Sequence, residues 1–191
     1  MAERIIVSAS AINSPVLLLK SNLANSSGAV GRNLTFHLTS AMLGLFDSIV
    51  YGAGGIPQLA MCDEFLNKNG DVGGFWLEAV PIYPTLAGLA LPGFGAFHRE
   101  IMHAYPHIGA TIILVKEIDS SGRVTVNDEG RASISYSLRS RDLEYFQQSL
   151  GVAARVQFAA GAKKVMTLHT RPTEFLSPDD VRKKVARAHR E

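Results

Sequence analysis

The residues best placed for chemistry in this chain are small ones. Ser8, Ala9, Ser10, Ala11, Asn13 and Ser14 stand between a short apolar run, Arg4–Ser8 (RIIVS), and a proline-led, leucine-rich segment. At a strand-to-helix junction such side chains let the backbone come close to a nucleotide cofactor. The same residues also suit plain, tight strand–helix packing. Three histidines, His98, His103 and His107, lie near one another in sequence. Pro106 interrupts the helix between the last two and no carboxylate completes a ligand set, so no metal site is expected. Cys62 precedes Asp63 and Glu64, whose charges disfavour its thiolate and so a nucleophilic role. No G-x-S-x-G marks a serine nucleophile, and no catalytic residue is assigned. The aromatic side chains Phe75, Trp76, Tyr83, Phe94 and Phe97 could line a substrate cavity, with Phe75 and Trp76 as the substrate-facing pair. Their other reading is sheet core.

These residues need elements to hold them. The nearly continuous apolar run Arg4–Ser8 predicts a strand buried on both faces. A helix follows over Pro15–Lys20, with Ser14 as N-cap and Pro15 in the first helical position. Residues 21–33, dense in Asn, Ser and Gly, read as loop. Segments 37–50, 57–66 and 72–83 read as strands, and 85–105 as helix in pieces divided near Leu91-Pro92-Gly93. Residues 109–118, 123–126 and 132–138 predict an antiparallel meander with turns at 119–122 and 127–130.

The strongest helix pattern runs from Ser140 to Ala160. Ser140 can cap it, Asp142 and Glu144 suit its positive end, and Gly161 can end it. Leu143, Phe146, Leu150, Ala154 and Phe158 form its apolar stripe. Lys164–His169 reads as a further strand. A last charged helix opens at Ser177-Pro178 and runs to about Arg190. Its apolar face is only Val181, Val185 and Ala188, so it is expected to rest on something beyond this chain or to fray. The fold class is α+β, a mainly antiparallel sheet with flanking helices, preceded by one strand–helix unit. The organisation expected is 1–36 as strand, helix and linker, 37–170 as the main α+β domain, and 171–191 as a charged helical tail.

Composition narrows the classes. The chain has 191 residues, 47% hydrophobic and 19% charged, enough to bury a sizeable core without staples. One cysteine excludes an intramolecular disulfide framework. A net charge of +2 is too mild to imply nucleic acid, and the basic stretch VRKKVARAHR reads most simply as a solvated helix face. No stretch reaches the roughly 18 unbroken apolar residues of a membrane span. The apolar wall AVPIYPTLAGLALPGFGAF is broken by Pro81, Pro84 and Pro92. No signal peptide is apparent, which favours a cytoplasmic location.

The stretch Ser10–Ser21 (SAINSPVLLLKS) resembles the second signature of the glucose-methanol-choline (GMC) flavoprotein oxidoreductases, V-S-A-G-A-I-x-S-P-x-L-L-L-x-S-G. Val30–His37 (VGRNLTFH) is similar to that family's V-G-x-N-L-x-x-H segment. The downstream layout of strands, Pro/Gly-rich wall, hairpin and long helix also fits, most closely the long-chain alcohol oxidase branch. Ser10 stands where the family has Gly, Asn22 and Ala24 replace glycines that close the signature, and Leu38 follows the histidine where Pro is frequent. The family's G-x-G-x-x-G unit lies N-terminal to this signature, and nothing of that form precedes residue 8. Its catalytic histidine motif lies C-terminal to the region matched.

The resemblance implies a GMC substrate-domain fold joined to one strand–helix of an FAD-binding domain. It implies FAD as cofactor, with Ser8, Ala9, Ser10, Ala11, Asn13 and Ser14 approaching it. FAD binding by this chain alone is expected to be weak or absent. His37 falls in the family-like segment and reads as a structural, hydrogen-bonded histidine. The expected function is the substrate-domain portion of an FAD-dependent alcohol oxidoreductase acting on a hydrophobic or bulky alcohol, inactive in isolation. Expected partners are the alcohol, a flavin-domain half, and further copies of the chain by self-association. The alternatives are a non-catalytic module that binds an apolar ligand or partner, and one subunit of a split flavoenzyme.

Overall fold

The computed structural model describes residues 3–56, 58–70, 72–91, 93–169 and 171–188. The expected break at Pro92 and the end of the last helix at Arg190 lie outside the described residues. The chain begins with helix α1 (Ser10–Lys20) and strands β1 (Arg32–Leu34), β2 (Leu38–Leu45), β3 (Met61–Cys62) and β4 (Gly74–Ala79). Helices α2 (Pro84–Ala90) and α3 (Gly95–His103) lead to β5 (Ile108–Lys116), β6 (Ser121–Val126) and β7 (Ala132–Ser137). Helix α4 (Ser140–Ala159), β8 (Lys164–Thr167), β9 (Glu174–Phe175) and α5 (Pro178–Ala188) complete it. This is an α+β fold with antiparallel sheets and, among the described residues, five α-helices.

The chain forms two compact units, residues 1–36 with 117–141 and residues 37–116 with 142–191. Linear order does not reveal that the hairpin at 117–141 joins the first 36 residues. In the first unit the described strands form a three-stranded sheet in the order β1-β6-β7. Strands β6 and β7 are the hairpin that the turn at 127–130 predicts, closed by Asn127, whose side chain accepts from Arg131 N–H at 2.8 Å. The expected three-strand meander is not formed, because β5 pairs with β2 and β4 instead. Nor do residues 4–8 form a strand. A strand buried on both faces needs neighbours, and among the described residues none lies alongside, leaving Ile5 and Ile6 83% and 89% exposed.

Helix α1 starts five residues before Pro15, so Ser14 is not its N-cap. The Ser14 hydroxyl instead accepts from the Ala9 N–H at 3.1 Å. Pro15 costs the helix only the bond to the Ala11 carbonyl, near its open end.

In the second unit the described strands form a six-stranded sheet in the order β3-β4-β5-β2-β8-β9. Met42, Phe75, Ile113, Val115 and Val165 on one face are covered by Val152, Ala153 and Ala154 of α4 and by Val181 of α5. The last helix therefore rests on the chain's own core, which corrects the expectation of an outside support. Ser177 caps it by accepting from Asp180 N–H at 3.2 Å. The expected stripe of α4 meets this core at Phe146, Leu150, Ala154 and Phe158. Leu143 is exposed, whereas Asp142, Ser149 and Gln157 are buried. The sheet explains Gln157: Gly44 and Gly109 oppose each other in the β2–β5 register, and the amide enters the space they leave. It donates to Thr111 Oγ1 at 2.8 Å.

Candidate functional site

The first candidate is the opening turn of α1. Ser8, Ser10, Ala11 and Asn13 are exposed, and Ala9 and Ser14 are half-buried. Ala9, at the N-cap, makes no side-chain cap bond, Ser10 Oγ accepts from Ile12 N–H at 3.4 Å, and the first turn holds no acidic residue. The backbone N–H groups at this positive end are thus screened only by small side chains. Ser10 takes a left-handed backbone, at φ +69°, a conformation that favours glycine.

The second candidate is the other face of the six-stranded sheet. Alternation along β4 sends Phe75 and Trp76 to opposite faces. Phe75 is 2% exposed and stacks on Phe65 in the core beneath α4. Trp76 is half-buried on the opposite face, where its indole N–H donates to Glu78 Oε1 at 2.7 Å and His37 packs edge-on against its ring. Gln58 donates to the other Glu78 oxygen at 3.0 Å. His37, expected as a hydrogen-bonded histidine, is exposed and makes this ring contact.

On the same face lies an apolar cavity of about 170 Å³, whose walls include Ala41, Leu43, Ile82, Leu91, Ile112 and Leu168. Neither Phe75 nor Trp76 lines it. Glu78, held by the Trp76 indole, pairs in register with Ile112 of its wall. Helix α2, with Ala87 and Leu91 buried beneath it, closes one side of the cavity. The apolar stretch 79–97 carried this signal, since Pro81, Ile82, Leu86, Ala87 and Leu91 all belong to the cavity wall. Ala41 and Ile112, separated by two strands in sequence, become neighbours only through the β2–β5 pairing. The Tyr105 hydroxyl, at the cavity wall, donates to the Ile82 carbonyl. Burial first, and nearby Tyr51 second, push its pKa above the ordinary tyrosine value.

The remaining candidates carry little. Among the described residues no three metal-capable side chains come together, so His98, His103 and His107 form no such group. Cys62 is a free, exposed thiol. No helix among the described residues is long and apolar enough to cross a membrane.

The α1 turn, with its left-handed Ser10, falls within the part of the chain that known proteins match. Residues 1–39 match the family model of the GMC oxidoreductases. Similarity to GMC-type proteins extends further along the chain. Two Mycobacterium tuberculosis proteins described as uncharacterized GMC-type oxidoreductases, from strains CDC 1551 / Oshkosh and H37Rv, are each 29% identical to it over 168 residues. That alignment covers 87% of this chain and 25% of each relative, so the chain spans about a quarter of the length of the curated relatives it matches. GMC oxidoreductases as a family use FAD. The α1 turn fits the close approach of such an anionic cofactor, with small side chains and no acidic residue in its first turn.

Proposed function

We propose that this chain is the substrate-domain portion of a GMC-type, FAD-dependent alcohol oxidoreductase, of the long-chain alcohol oxidase kind. The observation that carries the reading is the apolar cavity between the sheet and α2. Its walls have no charged side chain, so it suits the hydrocarbon body of an alcohol and excludes water from it. Glu78, which accepts from the Trp76 indole, pairs in register with Ile112 of the cavity wall and would be the polar group nearest the alcohol's hydroxyl on that strand.

FAD, when bound, supplies the hydride acceptor for alcohol oxidation. In this reading Ser8, Ala9, Ser10, Ala11, Asn13 and Ser14 let the backbone of the α1 turn come close to it. A polypeptide carrying a G-x-G-x-x-G unit, in the same chain or a separate one, would complete the cofactor site. Self-association of the isolated chain belongs to the same proposal, and light scattering showing a clean monomer would count against it.

The cavity also favours a second reading, a non-catalytic module for an apolar ligand, because its one hydroxyl, on Tyr105, is engaged by the backbone. Titration with straight-chain alcohols tests the shared part of both. Binding should tighten with chain length, by up to about 0.8 kcal/mol per buried CH₂. Ala90→Trp, at an exposed position on the cavity rim, should block it. Binding that ignores chain length, or survives Ala90→Trp, would exclude the cavity as the site.

A further inference from the structure

The first unit holds a different kind of groove. It is open, about 450 Å³, and is lined by the end of α1, the loop 25–32 and β6. Three of its lining residues are cations, Lys20, Arg32 and Arg123, and none is acidic. The β1–β6 register sets Arg32 directly opposite Arg123. Like charges so placed destabilise a sheet. Among the described residues neither guanidinium has an ion-pair or hydrogen-bond partner. The nearby turn offers no relief from Glu129, which is engaged by Arg131 at 3.3 Å.

The groove wall is firmly built. Asn25 Oδ1 accepts from Val30 N–H at 3.0 Å, and the Gly31 carbonyl accepts from Val124 N–H at 2.7 Å. Gly31 has φ +80°, and a Cβ there would run into the Val124 carbonyl. The loop is therefore pressed onto β6, which holds Arg32 opposite Arg123 at the mouth of the groove.

We propose that this groove is a binding site for a phosphate-bearing anion. Two adjacent guanidiniums offer paired N–H donors matched to phosphate oxygens, and Lys20 adds a third positive charge. An anion between them turns a repulsive pair into a clamp. The site lies at the opposite end of α1 from the Ser10 turn, about 15 Å along the helix axis at 1.5 Å per residue. It does not depend on the flavin reading.

Calorimetric titration of the 191-residue chain with inorganic pyrophosphate tests the site. The wild type should bind saturably, and Arg32→Gln and Arg123→Gln should each weaken binding about tenfold or more. Asn13→Ala, in the distant α1 turn, should leave it unchanged. Both arginine variants should keep a Tm at or above that of the wild type, since each removes one of two opposed like charges. Pyrophosphate should raise the Tm of the wild type and of Asn13→Ala, and raise that of the arginine variants less. Sedimentation with phosphatidylglycerol vesicles, against phosphatidylcholine vesicles, identifies the source of the phosphate. Arginine-dependent co-sedimentation points to a lipid headgroup, and pyrophosphate binding without it to a soluble ligand. Absence of both kinds of binding in the wild type, or either kind persisting undiminished in R32Q/R123Q, would overturn the proposal. So would binding that Asn13→Ala abolishes and the arginine variants do not.

Discussion

Gly44 and Gly109 stand directly opposite each other in the β2–β5 register, and the Gln157 side chain of α4 fills the space where a Cβ on Gly44 would be. A methyl group on Gly44 would run into Gln157 Oε1 and come within 3.1 Å of Ala162 Cβ. Gly44→Ala should therefore destabilise the protein by about 1–3 kcal/mol, the usual cost of overpacking. Thermal or denaturant unfolding measures it. Gly44→Ala with Gln157→Ala should lose less than the two single changes added together. Simple additivity would show that the contact is not as described.

The left-handed residues give a prediction of opposite sign. Ser10, Asn22 and Ala24 have φ of +69°, +50° and +55°. These are the three positions at which the GMC signature has glycine. Ser10→Gly and Ala24→Gly should each stabilise by about 0.5–1 kcal/mol, the relief of a strained Cβ less the added entropy of glycine in the unfolded chain. Asn22→Gly should gain less, because asparagine tolerates this region better. Equilibrium unfolding of the three variants decides it, and a loss at both Ser10 and Ala24 would contradict the backbone geometry.

Those three positions also show how far the sequence could be read. The departures from the glycine pattern were visible as letters, but only the fold shows that the backbone kept the glycine conformation. Elements with strong local signals, such as the helix ended by Gly161 or the hairpin turn at Asn127, are where periodicity and turn chemistry put them. Long-range pairing was not legible. The partner of β5 is β2, some 70 residues earlier, so three strands in succession did not become one meander. The apolar stripe of α4 faces the core at Phe146, Leu150, Ala154 and Phe158, but the polar residues buried beside it were not legible: Ser149 is satisfied by Phe146 O and Gln157 by Thr111. Of the candidate site, the apolar stretch 79–97 was legible as a wall, whereas Ala41 and Ile112 needed the sheet to bring them there.

Tyr105 supplies a prediction in alkali. Burial raises its pKa above the ordinary value of 10.0, so the folded state holds the phenolic proton more tightly than the unfolded chain. Its contribution to stability is full below the ordinary value and is lost as pH rises through the raised one. Tyr105→Phe should flatten that alkaline decline and cost about 0.5–1.5 kcal/mol at neutral pH, through loss of the bond to the Ile82 carbonyl. Urea unfolding across the alkaline range measures both, and an unchanged pH dependence in the variant would contradict the assignment.

Helix α5 should respond to acid. Hydrogen bonds from Arg182 and Lys184 hold the carboxyls of Asp179 and Asp180 below the ordinary aspartate value of 3.8. Depressed values contribute stability above the ordinary pKa that is lost as pH falls through the folded-state value. Circular dichroism should show helix loss below about pH 4. Val181→Ala should destabilise by about 1–3 kcal/mol at neutral pH, since Val181 is fully buried in the core. A neutral Val181→Ala variant would mean that α5 does not rest on that core.

The central claim is tested most directly by anaerobic flavin reduction. In the experiment this chain replaces the matching region of one of the M. tuberculosis GMC-type relatives, and the FAD-loaded product is mixed with a long-chain alcohol. The account predicts alcohol-dependent bleaching of the flavin's visible absorbance, slowed by Ala90→Trp, while the 191-residue chain alone retains little FAD. Long-chain alcohol binding with no bleaching in a folded, FAD-loaded chimera would contradict it, as would near-stoichiometric FAD on the chain alone.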